Sequence, residues 1–295
     1  MTTPAPFGRM LTAMATAFTD DVEVDLDGTA AIASYLVEHG HDGVVVSGTT
    51  GESATTSVAE SGEILRAVKD AVGGRARVVA GVGTTATAHS VELARQAEKL
   101  GADALLLVTP YYTKPGPAGV LHHFQQVAAA TDVPVILYDV PGRTGTQISI
   151  ETFARVKTDT VVAVKDAVGD FARGVELMQL GYAVYSGDDV SNLGWLAHGA
   201  SGVISVVGHA AGRQIRSMIE DFLDGNTPAA LSVYAQLLPA TRAIMGVPHY
   251  GATTAKAALQ LLGVLDNRNV RGPLVPLTDD EVGALRVGLE ASHLI

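Results

Sequence analysis

Short unbroken apolar runs recur along the chain at 43–46 (GVVV), 78–81 (VVAG), 104–108 (ALLLV), 135–138 (VILY), 161–164 (VVAV), 183–185 (AVY) and 203–207 (VISVV). Runs of Val, Ile and Leu with no polar residue at every second place suit parallel strands covered on both faces, not strands with one wet side. Between them the pattern changes to helical spacing over 58–72, 88–100, 120–130 and 171–180, each stretch closing near a glycine or turn residue. The order is strand, helix, strand, helix. With an eighth run at 10–18 (MLTAMATAF), the strand candidates recur at about the 20 to 35 residues that one βα unit occupies. This predicts α/β architecture closed into a (β/α)8 TIM barrel. A doubly wound open sheet is the alternative, because a strand count does not reveal closure. After Gly225 the strand pattern stops, and 227–245, 253–262 and 278–291 read as helices. The chain thus divides into a barrel, 1–225, and a C-terminal helical segment, 226–295, expected to pack on the barrel because no linker separates them.

Composition narrows the function classes. A length of 295 residues with 47% hydrophobic and 17% charged residues fits a globular chain with a sizeable core. No cysteine occurs, which removes disulfides, thiolate metal sites and a cysteine nucleophile together. The net charge of −11 and the lack of any Lys/Arg run argue against a nucleic-acid partner. No apolar stretch is long enough to span a bilayer, and the opening MTTPAPFGRM lacks the basic start and apolar core of a signal peptide. A cytoplasmic location without membrane association is expected.

In such barrels chemistry sits where strands end, so the residues after each run are informative. The first such loop, SGTTGES at 47–53, offers hydroxyls and exposed N–H groups that could hold a carboxylate or phosphate; a βα turn with helix caps is the alternative. Tyr138 ends its run with a phenol, and Arg143, in the following Pro/Gly turn, carries a planar fork suited to a carboxylate. Lys165 is the most informative position. Of six lysines it alone terminates an apolar strand run, TVVAVKDA. There, desolvation and a neighbouring cation such as Arg143 favour the neutral amine that a Schiff-base nucleophile needs. The alternative is a rim lysine paired with Asp166 or Asp188.

Competing motifs are weaker. Residues 81–86 fit GxGxxA, but the acidic partner, Asp103, begins the next run instead of ending it, so a plain βα turn is expected. His39 and His41 precede a strand, at the edge opposite the strand ends, and are expected in a solvated loop. His122 and His123 are adjacent and so point in different directions, and no HExxH occurs, so no metal is expected. Asp188 and Asp189 are expected to shape a turn or cap a helix.

Together, SGTTGES (47–53), TPYY (109–112), YDVPGRTG (138–145), VKDA (164–167), SGDD (186–189) and GVISV (202–206) resemble the dihydrodipicolinate synthase group of the N-acetylneuraminate lyase superfamily, in order and spacing across nearly the whole chain. The resemblance implies a (β/α)8 barrel with a C-terminal helical segment, and condensation of pyruvate with aspartate 4-semialdehyde through a lysine imine, without a cofactor. Lys165 matches the imine-forming lysine and Tyr138 the proton-shuttling phenol. Thr49 matches the hydroxyl that links Tyr138 to Tyr112, the latter supplied by a neighbouring subunit. Thr50 matches the group holding the pyruvate carboxylate, Arg143 the residue receiving the aldehyde's carboxylate, and Gly187 and Ile204 positions lining the pocket. A homotetramer built as a dimer of dimers is implied. Asp166 stands where Glu is usual, and the segment around His249 departs from the Asn/Pro-rich form of some members. Sister activities, cleavage of sialic acid or of 2-keto-3-deoxy sugar acids, share the lysine and tyrosine; Arg143 within PGRTG favours the synthase. A barrel that only binds would be expected to have lost the lysine or tyrosine. Lysine-inhibited relatives hold that amino acid partly through a Glu and an Asn, which here read as His89 and Thr85, so weak or absent feedback is expected.

Overall fold

The computed structural model describes residues 4–295. Eight parallel strands close on one another in sequence order, β1 to β8 with β8 returning to β1. They are β1 (Met10–Ala13), β2 (Gly43–Val46), β3 (Arg77–Gly81), β4 (Ala104–Val108), β5 (Val135–Asp139), β6 (Val161–Asp166), β7 (Ala183–Ser186) and β8 (Gly202–Ser205). The helices are α1 (Leu26–Glu38), α2 (Val58–Val72), α3 (Thr87–Lys99), α4 (Pro117–Ala128), α5 (Pro141–Thr144), α6 (Ile150–Val156), α7 (Phe171–Gln179), α8 (Asn192–Ala197) and α9 (Gly208–Leu223). Three more, α10 (Thr227–Met245), α11 (Ala252–Leu261) and α12 (Asp279–Ala291), follow the barrel. The closed ring decides against the open sheet, because every strand has a neighbour on both sides.

The unbroken apolar runs are explained by two cores. Alternate strand residues point inward and outward. Val45, Leu106 and Ile136 fill the barrel, while Val44, Val46, Leu105, Leu107, Val135 and Leu137 pack outward against the helices. A third apolar cluster joins α9, α10, α11 and α12 to Met10 and Val203, so the C-terminal helices share a core with β1 and β8. The helix ends carry the expected chemistry. Ser57 and Glu60 form a reciprocal cap at the start of α2, and Thr278 and Glu281 do the same for α12.

Some elements differ from the reading by pattern. The run at 10–18 is a strand only over Met10–Ala13, and the run at 203–207 is a strand from Gly202 to Ser205, after which the chain turns into α9. Of the two histidines expected in a solvated loop, His39 is half-buried in the turn after α1, and His41 departs from the expectation. His41 is buried; its ring bonds Thr12 Oγ1 at 2.7 Å and the Leu36 carbonyl at 2.6 Å. Burial holds it neutral, with a pKa lowered to about 3. Gly81 and Gly83 serve close packing between strand ends. A Cβ at these positions would lie 2.1 Å from the Ser47 carbonyl oxygen and 2.4 Å from the Val108 nitrogen, which accounts for the GxGxxA pattern without a nucleotide.

Candidate active site

The direction of Lys165 depends on an irregularity. β5 and β6 pair Val135 with Val161 but Ile136 with Ala163, leaving Val162 as one extra residue in β6. Val161 packs outward and Ala163 inward, so the extra residue reverses the face on which odd-numbered side chains lie. Lys165 shares the face of Ala163 and therefore enters the barrel. Without the bulge, the same alternation would send it out toward the helices.

Inside the barrel, Lys165 is only 4% exposed and stands opposite Tyr138 in register. Its Nζ lies 4.4 Å from the centre of the Tyr138 ring. Burial lowers its pKa to about 8, opposed by the Asp189 carboxylate and assisted by the Arg143 cation. Neither of the aspartates considered as partners neutralises it. Asp166 is held outside the barrel by Arg173, and the Asp188 carboxylate accepts from Ser191 Oγ at 3.1 Å. Among the described residues, the Lys165 ammonium makes no hydrogen bond or ion pair. Burial also pushes the Tyr138 phenol well above the ordinary tyrosine range, against the pull of Arg143, so the hydroxyl keeps its proton.

Two cavities of about 320 Å³ each open at the C-terminal ends of the strands, and Thr49, Tyr138 and Arg143 line both. Lys165, Gly187, Asp188 and Thr50 line one of them. Thr50 is buried in the loop after β2, while Thr49, beside it, is exposed. Arg143, on the short helix after β5, is exposed with its guanidinium 4.8 Å from the centre of the Tyr250 ring. Gly187 sits against the lysine: a Cβ there would be 3.0 Å from Lys165 Cγ and 3.1 Å from Lys165 Cε, so any side chain would push on the amine's stem. Ile204 is buried in the barrel interior with Tyr138 and does not line either cavity, whereas Val206 does. Tyr112 lies apart from the cavity of its own chain, 90% exposed and with φ of +69°. Its neighbour Tyr111 lines the second cavity. Thr85 is exposed, and the first turn of α3, which includes His89, carries no acidic residue.

Several site features had no sequence signal strong enough to single them out. Tyr250 and Gly251, from the C-terminal segment, complete the cavity wall. Asp189 ties the end of β8 in place: Ser205 Oγ donates to it at 2.5 Å and the Val206 and Val207 N–H groups at 2.7 and 3.0 Å. This bears out a structural role for the SGDD turn. Among the described residues, no cluster of three or more His, Cys, Asp or Glu side chains is placed to hold a metal ion.

A buried, unpaired amine beside a protonated phenol in the wall of a cavity that also carries Thr50 and Arg143 is equipped for imine chemistry. Comparisons with known proteins agree. The model of the dihydrodipicolinate synthetase family matches residues 6–292. The 4-hydroxy-tetrahydrodipicolinate synthases of Kineococcus radiotolerans and Acidothermus cellulolyticus are 53% and 54% identical over 291 residues, 98% of this chain and 94% of each relative. Among solved structures, a dihydrodipicolinate synthase from Bacillus anthracis matches with a TM-score of 0.92 and 38% identity, covering 96% of this chain and 98% of that one. One from Cyanidioschyzon merolae, with lysine bound, matches with a TM-score of 0.94 and 37% identity over 99% and 100% of the two chains. The chain belongs to the dihydrodipicolinate synthetase family.

Proposed function

We propose that this chain condenses pyruvate with aspartate 4-semialdehyde to 4-hydroxy-tetrahydrodipicolinate, a lyase reaction of lysine and diaminopimelate biosynthesis, with Lys165 as the imine-forming residue. The observation that carries the assignment of Lys165 is its burial beside Tyr138 with no counter-ion. With a pKa of about 8, roughly a tenth of these amines are neutral at pH 7, against about 1 in 3,000 for an ordinary lysine. The amine adds to C2 of pyruvate, and Tyr138 supplies the proton with which the carbinolamine hydroxyl leaves as water. The resulting imine acidifies the methyl group. Loss of a methyl proton gives an enamine, whose carbon attacks the aldehyde. The substrate's own amine then adds to C2, closes the ring and displaces Lys165.

Thr50, buried at the cavity wall, is assigned to the pyruvate carboxylate. Arg143 is assigned to the carboxylate of the aldehyde, its exposed fork being able to meet that group in a bidentate pair. Gly187 leaves the lysine stem its space, and Ile204 supports Tyr138 from the interior layer. Thr49 relays between Tyr138 and Tyr112 of the partner subunit. That role accounts for Tyr112, a large aromatic in a left-handed backbone conformation that its own chain leaves exposed. The active species on this reading is a dimer at least, assembled as a tetramer of two dimers. The experiment is incubation with pyruvate and aspartate 4-semialdehyde, coupled to a reductase that consumes the product. Turnover dependent on both substrates is expected. Pyruvate release from a 2-keto-3-deoxy sugar acid or sialic acid, without such turnover, would favour the cleavage reading instead. Mixing Lys165→Ala with Tyr112→Phe chains should restore part of the activity. No rescue despite demonstrated subunit exchange would remove Tyr112 from the site.

A further inference from the structure

Asp139 and Asp166 directly follow Tyr138 and Lys165. Strand alternation therefore sends both carboxylates to the outer face of the sheet while the tyrosine and lysine point inward. The two aspartates are paired in register across β5 and β6, and both are fully buried. Like charges directly opposite on neighbouring strands repel. Arg173, in the first turn of α7 and itself buried, bridges them. Its Nη1 donates to Asp166 Oδ2 at 2.6 Å, and its Nη2 donates to Asp139 Oδ2 and, at 2.8 Å, to the Ile148 carbonyl. Backbone donors supply further contacts. The Ile148 N–H reaches both Asp139 oxygens at 3.2 and 3.3 Å, and the Val168 and Gly169 N–H groups reach Asp166 Oδ1 at 2.8 and 3.2 Å. Burial still pushes the Asp139 carboxyl up, to about 6, against the pull of Arg173.

Such a buried ionic cluster is a poor source of stability, since apolar side chains of similar volume do as well or better. What it does supply is alignment. A planar guanidinium satisfies both carboxylates at once only when Asp139 and Asp166 stand abreast. β6 needs that alignment because it carries the extra residue Val162, and a one-residue slip beyond the bulge would turn Lys165 out of the barrel. We propose that Arg173 is a positioning residue which, through Asp139 and Asp166, locks the register of β5 and β6 and so holds Tyr138 and Lys165 side by side for imine formation. The proposal rests on the roles assigned above to Lys165 and Tyr138.

The test is the time course of borohydride trapping at saturating pyruvate, with steady-state kinetics on the same samples. Arg173→Lys keeps the charge but loses the fork. The triple variant Arg173→Met, Asp139→Asn, Asp166→Asn removes all three buried charges while keeping similar shapes. In either variant, once circular dichroism and thermal midpoint show a folded protein, imine formation should slow at least tenfold. The kcat should fall with it, while KM for the aldehyde, set at Arg143, stays within twofold. A trapping rate within twofold of the parent in a folded variant overturns the proposal. If neither variant folds, the cluster is a requirement of folding and the proposal is likewise overturned. Absence of trapping on the parent chain would instead overturn the assignment of Lys165, which separates that failure from this one.

Discussion

The molecule buries two lysines in similar ways but surrounds them differently. Lys165 in the barrel and Lys256 on α11 are both nearly inaccessible, and burial lowers the pKa of each to about 8. Each ammonium lies over an aromatic ring, at 4.4 Å from Tyr138 for Lys165 and 4.1 Å from Phe18 for Lys256. The difference lies in their partners. Lys256 donates to Glu52 Oε1 at 2.5 Å and to the Asn269 carbonyl at 2.7 Å. The other oxygen of Glu52 accepts from the Arg271 N–H at 2.8 Å. Lys165 has an open cavity where Lys256 has these acceptors. A depressed pKa therefore does not mark a nucleophile by itself; unused donor capacity facing free space does.

The Lys256 pair has its own purpose. The loop after β2 carries Thr49 and Thr50, and two of its non-glycine residues, Ser47 and Glu52, have left-handed backbone angles, φ +51° and +57°. Such conformations persist where the surroundings over-determine them. Glu52, anchored to Lys256 and to the Arg271 backbone, ties that loop to the C-terminal segment.

Exchanging the two lysines' roles by mutation gives the largest contrast. Lys165→Ala should abolish turnover and trapping, by a factor of at least about 1,000, with little change in thermal midpoint, because relief of an unpaired buried amine offsets the packing lost with its stem. Lys256→Met should do the reverse. It leaves Glu52 buried without its cation, which costs about 3 to 5 kcal/mol of stability in urea unfolding, while the folded fraction still forms the imine. Loss of trapping in well-folded Lys256→Met would erase the distinction between the two sites.

A smaller effect sharpens the pairing claim. Adding Glu52→Gln to Lys256→Met removes the orphaned charge and should recover about 1 to 3 kcal/mol of the loss. Strict additivity of the two single substitutions would mean that the pair is not coupled.

The smallest effect expected is a shift in the pH dependence. On the role proposed for Lys165 the neutral amine is the reactive form, so imine formation at saturating pyruvate should rise about tenfold per pH unit below 8 and level off above it. Arg143 helps to lower that pKa, so Arg143→Ala should move the midpoint upward, by a modest amount because the guanidinium is exposed to screening solvent. A downward shift would contradict the arrangement of charges.

Much of this was legible along the chain, for identifiable reasons. Strands buried on both faces write themselves as apolar runs, so all eight were visible. Lys165 stood out as a charged residue ending such a run. Its direction was not visible, because that depends on one extra residue in β6, and a bulge at Val162 leaves no mark in a run of valines and alanines. The register clamp was hidden because Arg173 reads as an ordinary residue in the first turn of a helix, and its two partners come from separate strands. Glu52 and Lys256 are 204 residues apart, so each looked like part of a local element: a turn and a helix. His41 read as a loop residue because its partners, Thr12 and Leu36, approach only once β1 and α1 have packed.

The most direct measurement of the central claim is the site of pyruvate attachment. The protein is incubated with pyruvate, reduced with borohydride, digested and mapped by mass spectrometry. One lactyl-sized addition on the peptide containing Lys165, with none on the peptide containing Lys256, is the expected result. An unmodified Lys165 peptide, or a label on Lys256 that survives in the Lys165→Ala chain together with turnover, would contradict the assignment.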